Sequence, residues 1–131
     1  MIISFEPSEA VRNLSYLKQD GLVIVNVDPV KPTTESLHET GYDGTNMIEY
    51  LQKKCQVLAV DGQQLCAEFG SSKYLNVILL GVAAGSGVLD IPKEAIQKEI
   101  RVRVPSKFVE NNRLAFEKGY AFASGQAQTA K

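Results

Sequence analysis

Apolar residues open the chain at Ile2, Ile3 and Phe5, recur at helical spacing at Ala10, Val11, Leu14 and Leu17, and then run unbroken from Leu22 to Val25. The first block has the length of a strand. The second, entered through Pro7 at a first helical position and stopped by Asp20-Gly21, predicts a short amphipathic helix. The third block contains two valines and an isoleucine and predicts a strand covered on both faces. Parallel pairing of the two strands through the helix is the economical arrangement, because a parallel pair needs a crossover and its right-handedness fixes which face the helix covers. No polar lead-in, turn or cap precedes the first strand, so the pattern predicts a fold whose first part is missing.

From Asp28 to Gly44 the apolar residues lose their period among prolines, glycines and Ser/Thr residues, which predicts a long ordered loop. Thr45 or Asn46 then caps a helix through about Lys54, with Met47, Ile48 and Leu51 on its inner side, and Gln56 to Val60 forms a third strand. Asp61 caps a second short helix that holds Leu65, Cys66 and Phe69 and stops at Gly70. Ser71 or Ser72 begins an almost wholly apolar helix closed by Ser86-Gly87, and Pro92 begins another running to about Arg101, with Glu94, Lys98 and Glu99 on its solvent side. The last helix follows Pro105 with Ser106 as its cap. Val109, Asn112, Phe116, Tyr120 and Ala123 share one face of it, and Glu110, Arg113 and Glu117 share the opposite face. The expected fold is α/β, three-layer and Rossmann-like, with a parallel or mostly parallel sheet and helices on both faces. One domain is expected over residues 1–124, with a disordered Gly/Gln/Ala/Thr tail at 125–131. Three strands are few for this many helices, and further strands from a partner chain or from a missing N-terminal half would balance them.

Composition narrows the function. A chain of 131 residues with 14 basic and 15 acidic side chains has net charge −1 and no basic stripe, which excludes nucleic acid as a partner. The longest apolar stretch, Tyr74 to Leu89, is interrupted by Asn76 and several small residues and falls short of the ~20 residues a bilayer crossing needs. No signal peptide precedes Ile2. The two cysteines, Cys55 and Cys66, fit a reducing compartment, so the expected location is the cytoplasm.

If the strands are parallel, their C-terminal ends place Glu6, Asn26, Asp28 and Asp61 along one edge, where open α/β folds hold ligands. Such carboxylates suit a divalent cation, whereas the structural reading has Glu6 and Asp61 capping helices and Asn26 and Asp28 shaping the loop. Asn76, an amide within an apolar helix, and Asn112, on the apolar face of the last helix, are candidates for contact with a ligand or partner; the structural reading gives each a neighbouring backbone group as partner. His38 is the only histidine and lies in a loop with no nucleophile motif near it. The cysteines lack Cys-x-x-Cys spacing, and two cysteines with one histidine are one ligand short of a structural zinc site. Gly81-x-x-x-Gly85 with Gly87 ends an apolar helix instead of joining a strand to a helix start, so it is wrongly placed for a dinucleotide. No catalytic residue, cofactor ligand or metal ligand is identified by these residues alone.

Three segments carry a family resemblance: Phe5-Glu6-Pro7-Ser8-Glu9-Ala10-x-Arg12 with Tyr16-Leu17-Lys18 and Ile24-Val25-Asn26; Asn76-x-x-x-Leu80-Gly81; and Asn112-x-x-Ala115-Phe116-x-x-Gly119-Tyr120. Their wording and order resemble the gamma module of 2-oxoacid:acceptor oxidoreductases, and the first segment is most similar to the indolepyruvate:ferredoxin branch. The resemblance covers the C-terminal two thirds of that module. It implies a non-catalytic or accessory subunit of a complex that oxidatively decarboxylates a 2-oxoacid. Thiamine diphosphate and iron–sulfur clusters are then expected on partner subunits and no cofactor on this chain. The implied partners are the thiamine-binding catalytic subunit and, indirectly, ferredoxin. The family's N-terminal strand and Gly-x-Gly-Gly-Gln-Gly loop have no counterpart here, so CoA binding is not implied. The alternative is a small non-enzymatic α/β ligand-binding or interaction module, a homodimer across its open sheet edge that binds a small acidic or metal-linked ligand at the Glu6, Asn26, Asp28 and Asp61 edge.

Overall fold

The computed structural model of the chain describes residues 1–27 and 44–129. The predicted loop, with Asp28 and His38, lies outside these residues apart from Gly44. The chain divides into two compact units, Met1–Asp61 and Gly62–Lys131.

The first unit is a parallel sheet with two helices. Strand β1 (Ile2–Ser4) leads through α1 (Pro7–Arg12) and a single 3-10 turn (Leu14–Tyr16) to β2 (Leu22–Asn26); α2 (Gly44–Lys54) then precedes β3 (Gln56–Val60). The strand order is β1-β2-β3, parallel throughout, with Ile2 opposite Val23 and Val23 opposite Val57. The predicted first helix is thus split. Asn13 ends α1 because its backbone N–H and its side-chain amide both donate to the Glu9 carbonyl, the latter at 2.9 Å, which leaves Leu14 and Leu17 to a tighter turn. Asp20, the one non-glycine at positive φ among the described residues (62°), then turns the chain toward β2.

Both helices cover the same sheet face. Ala10 of α1 and Leu51 of α2 are fully buried against Val23 and Val25, with Ile2, Val11, Leu14, Leu17, Ile48, Cys55 and Val57 packed around them. All five residues of β2 are buried, as its continuous apolar run predicts.

The second unit is helical. It comprises α3 (Gly62–Cys66) with a 3-10 turn at Ala67–Phe69, a 3-10 turn at Ser72–Tyr74 leading into α4 (Leu75–Gly85), α5 (Lys93–Arg103), and a 3-10 turn at Ser106–Phe108 leading into α6 (Val109–Thr129). Gly70 closes the first of these with φ 67°, and Gly87 follows α4 with φ 79°, both in the left-handed region where a side chain is disfavoured. Ser71 caps as expected, its Oγ accepting from the Lys73 N–H at 3.1 Å. Ser106 does not cap. The capping position falls one residue earlier on Pro105, which has no side-chain acceptor to offer, so Ser106 becomes the first residue of the turn. The last helix also runs past Ser124, where composition sets its end, to Thr129.

Helices α4 and α6 meet almost backbone to backbone. A Cβ on Gly81 would intrude on the Phe116 carbonyl oxygen, one on Gly85 on the Tyr120 carbonyl oxygen, and one on Gly119 on the Ile78 carbonyl oxygen. The three glycines therefore serve close approach of two helices. Around this crossing, Cys66, Tyr74, Ile78 and Ala115 form one buried cluster, and Ile96, Ile100 and Phe116 form another that ties α5 to α6. Lys93 adds a bridge from α5, with its Nζ 3.0 Å from Glu117 and 4.1 Å from the centre of the Tyr120 ring.

Candidate functional site

Because the three strands are parallel, Ser4, Asn26 and Val60 end at one edge of the sheet. Ser4 organises the exit from β1: its Oγ donates to the Glu6 carbonyl at 2.6 Å and accepts from the Glu6 N–H at 3.3 Å. Glu6 holds the capping position of α1 in extended geometry, but its carboxylate makes no capping bond and is exposed. Asn26 is 2% exposed, and its Nδ2 donates to the Phe5 carbonyl at 3.3 Å, tying the end of β2 to the exit from β1. One residue on, the Val27 N–H donates to the Val60 carbonyl at 2.7 Å and extends the β2–β3 ladder past its last pair. Asp61 is half-buried and is also engaged by an interaction. The structure thus brings Glu6, Asn26 and Asp61 to the same sheet edge, and Asp28 lies outside the described residues.

Asn26 has a measurable structural role. Replacing it with alanine removes this part-buried bond to the Phe5 carbonyl, at an expected cost of about 0.5–1.5 kcal/mol. Urea denaturation followed by far-UV circular dichroism should show a lower midpoint with an unchanged slope. An unshifted midpoint would contradict the role.

Asn76 is not buried among apolar residues as expected. The 3-10 turn at Ser72–Tyr74 takes the place of the first helical turn, so α4 begins at Leu75 and Asn76 lies exposed in its opening turn. Its Oδ1 accepts from the Val77 N–H at 2.9 Å. Asn112 is half-buried, and its Nδ2 donates to the Phe108 carbonyl at 2.8 Å, a bond to the preceding turn of its own helix. Both belong to the second unit.

Among the described residues, no group of three or more His, Cys, Asp or Glu is placed to hold a metal ion. Cys55 is half-buried, with its thiol directed at the Leu51 carbonyl 3.3 Å away, and burial pushes its pKa up. A thiol held protonated in this way is a poor nucleophile. Cys66 is buried in the second unit.

The open sheet edge expected from the sequence lies, among the described residues, on the side of β1 away from β2. A groove there is lined by Ile2 to Glu6 together with Glu9 and Asn13 of the α1 segment. Ile3 is 42% exposed and Phe5 53% exposed. Among the described residues β1 pairs with β2 alone, and an edge strand with exposed apolar side chains is a template for another strand. The signal was present in the first five residues, where no lysine or proline guards the edge.

Comparison with known proteins agrees with this fold. The family profile described as pyruvate ferredoxin/flavodoxin oxidoreductase matches residues 1–122. Indolepyruvate oxidoreductase subunit IorB of Thermococcus kodakarensis is 33% identical over 122 residues, 91% of this chain and 60% of that protein. The subunit of the same name from Pyrococcus horikoshii is 34% identical over the same proportions, 91% and 60%. The chain therefore spans about three fifths of the length of these curated relatives. Among solved structures, the keto/oxoacid ferredoxin oxidoreductase gamma subunit from Geobacter sulfurreducens shares the fold with TM-score 0.66 at 24% identity, over 94% of this chain and 63% of that one. No helix among the described residues is long and apolar enough to cross a membrane.

Proposed function

This chain belongs to the pyruvate ferredoxin/flavodoxin oxidoreductase family, and from that premise we propose that it is an accessory, non-catalytic part of a 2-oxoacid:ferredoxin oxidoreductase of the indolepyruvate type. The observation that carries the reading is the similarity to subunits named for indolepyruvate oxidation, sustained over 91% of the chain. The complex would oxidatively decarboxylate an aryl 2-oxoacid in the cytoplasm. Thiamine diphosphate and the iron–sulfur clusters would reside on the catalytic partner, which would pass electrons to ferredoxin. The sequence supports that division of labour, since its two cysteines fall short of the four thiolates that an iron–sulfur cluster takes. In this reading Glu6, Asn26, Asp28 and Asp61 line the edge that faces ligand or partner, and Asn76 and Asn112 lie at further contacts.

The exposure of Ile3 and Phe5 on β1 favours one competing reading, a homodimer joined through two β1 edges with no role in oxidation. Co-expression with the thiamine-binding subunit of the same organism separates the two. Indolepyruvate-dependent ferredoxin reduction that requires this chain is the expected result; a catalytic subunit equally active without it overturns the proposal.

A further inference from the structure

Helical spacing puts Gln97, Ile100 and Arg101 on one face of α5, and Arg113 and Phe116 on one face of α6. These five residues line a small cavity of about 70 Å³ that belongs to the second unit alone. Its wall is apolar: Ile100 is buried and Phe116 fully so, both within the cluster that ties α5 to α6. Its polar groups are the Gln97 amide and the guanidinium groups of Arg101 and Arg113.

The two arginines differ in how they are neutralised. Arg113 donates to the Glu110 carboxylate from Nε at 3.1 Å and from Nη2 at 2.6 Å, which leaves its Nη1 without a carboxylate. Glu117, whose charge also reaches Arg113, is engaged by Lys93 and by the Gln97 amide. Glu99 of α5 is engaged by Arg103. Arg101 makes no ion pair or side-chain hydrogen bond among the described residues. Once Glu110 is set against Arg113 and Glu117 against Lys93, the positive charge of Arg101 is left over at the rim of an apolar cavity.

We propose that this cavity binds a short-chain aliphatic monocarboxylate, its carboxylate held by Arg101 and the Nη1 of Arg113 and its hydrocarbon end set against Ile100 and Phe116. The planar fork of a guanidinium matches the two oxygens of a carboxylate. The volume equals the share of about two water molecules in the liquid, which admits a carboxylate with one or two further carbons. An aryl 2-oxoacid is too large for it, so the site is separate from the oxidoreductase reading and does not depend on it. The apolar wall selects against an inorganic anion, whose oxygens on that side would lose water and gain no partner.

The test is a titration of the nitrogen-15-labelled full chain with sodium propionate at constant ionic strength and pH, followed by proton–nitrogen NMR. Saturable shifts at the side-chain N–H groups of Arg101 and Arg113 and along the backbone at 97–101 and 113–116 are the expected result. Propionamide and inorganic phosphate should each bind at least about tenfold more weakly, and so should propionate to Arg101→Gln. Arg103→Gln, which removes a guanidinium engaged by Glu99 and outside the cavity, should leave the affinity unchanged. The comparison of propionate with propionamide uses the unaltered chain, so it stands whatever the variants do to folding. Shifts that grow without saturating, equal affinity in Arg101→Gln, or equal binding of propionamide or phosphate would overturn the proposal. Tighter binding by a blocked Ala-Glu-Ala peptide would overturn it as well, by assigning the carboxylate to a side chain of a partner protein.

Discussion

Gly119→Ala is expected to destabilise the protein by about 3 kcal/mol or more, at or beyond the upper end of the usual range for overpacking. The new methyl group would intrude on the Ile78 carbonyl oxygen and stand 2.9 Å from the Val82 backbone nitrogen, so no side chain can rotate away to make room. Helices α4 and α6 must separate, and the buried contacts of Ile78, Ala115 and Phe116 loosen with them. The melting temperature should fall by about 10 °C or more. Gly81→Ala should act similarly, since its Cβ would meet the Phe116 carbonyl and lie 3.0 Å from the Tyr120 nitrogen. Gly125→Ala is the internal control. It sits in the same helix with nothing within 4 Å of its Cβ position, so alanine should be neutral or stabilise by up to about 1 kcal/mol through helix propensity. Equal behaviour of Gly119→Ala and Gly125→Ala would contradict the close crossing.

Leu51→Ala should cost about 2–5 kcal/mol in the first unit. Leu51 is fully buried and shares a cluster with Ala10, Val23 and Val25, so truncation opens a cavity between α2 and the sheet. Tyr50, its neighbour in α2, is 46% exposed and makes one exposed-side contact, a ring 5.6 Å from the Lys54 Nζ. Tyr50→Ala should therefore stay within about 0.5 kcal/mol of the parent protein. The chain has no tryptophan, so both variants are best followed by far-UV circular dichroism in urea. Comparable midpoints for the two would show that α2 does not bury the face described.

Much of this architecture was legible in the sequence because period and punctuation agreed. The unbroken run Leu22 to Val25 gave a fully buried strand, Gly70 and Gly87 marked left-handed closures, and Pro7 opened a helix where its fixed φ is useful. Misreadings arose where a short polar side chain competed with the helical backbone. Asn13 bonded back to Glu9 and cut the first helix short, and a tight turn before Leu75 moved Asn76 from the predicted apolar interior to an exposed first turn. The glycines of α4 were visible as a pattern, but their purpose was not. Only the tertiary approach of Gly119, more than thirty residues away, shows that Gly81 and Gly85 are there for packing. The candidate edge was partly readable. Parallel strands place Glu6, Asn26 and Asp61 together, but periodicity cannot tell which side of β1 is left without a partner.

The most direct test of membership in an oxidoreductase complex is the mass in solution by light scattering, for the chain alone and after mixing with the thiamine-binding subunit from the same organism. A stable complex whose mass is the sum of the two subunits in whole-number ratio is the expected result. A homodimer whose mass is indifferent to that subunit would contradict the assignment and point instead to pairing through the β1 edge.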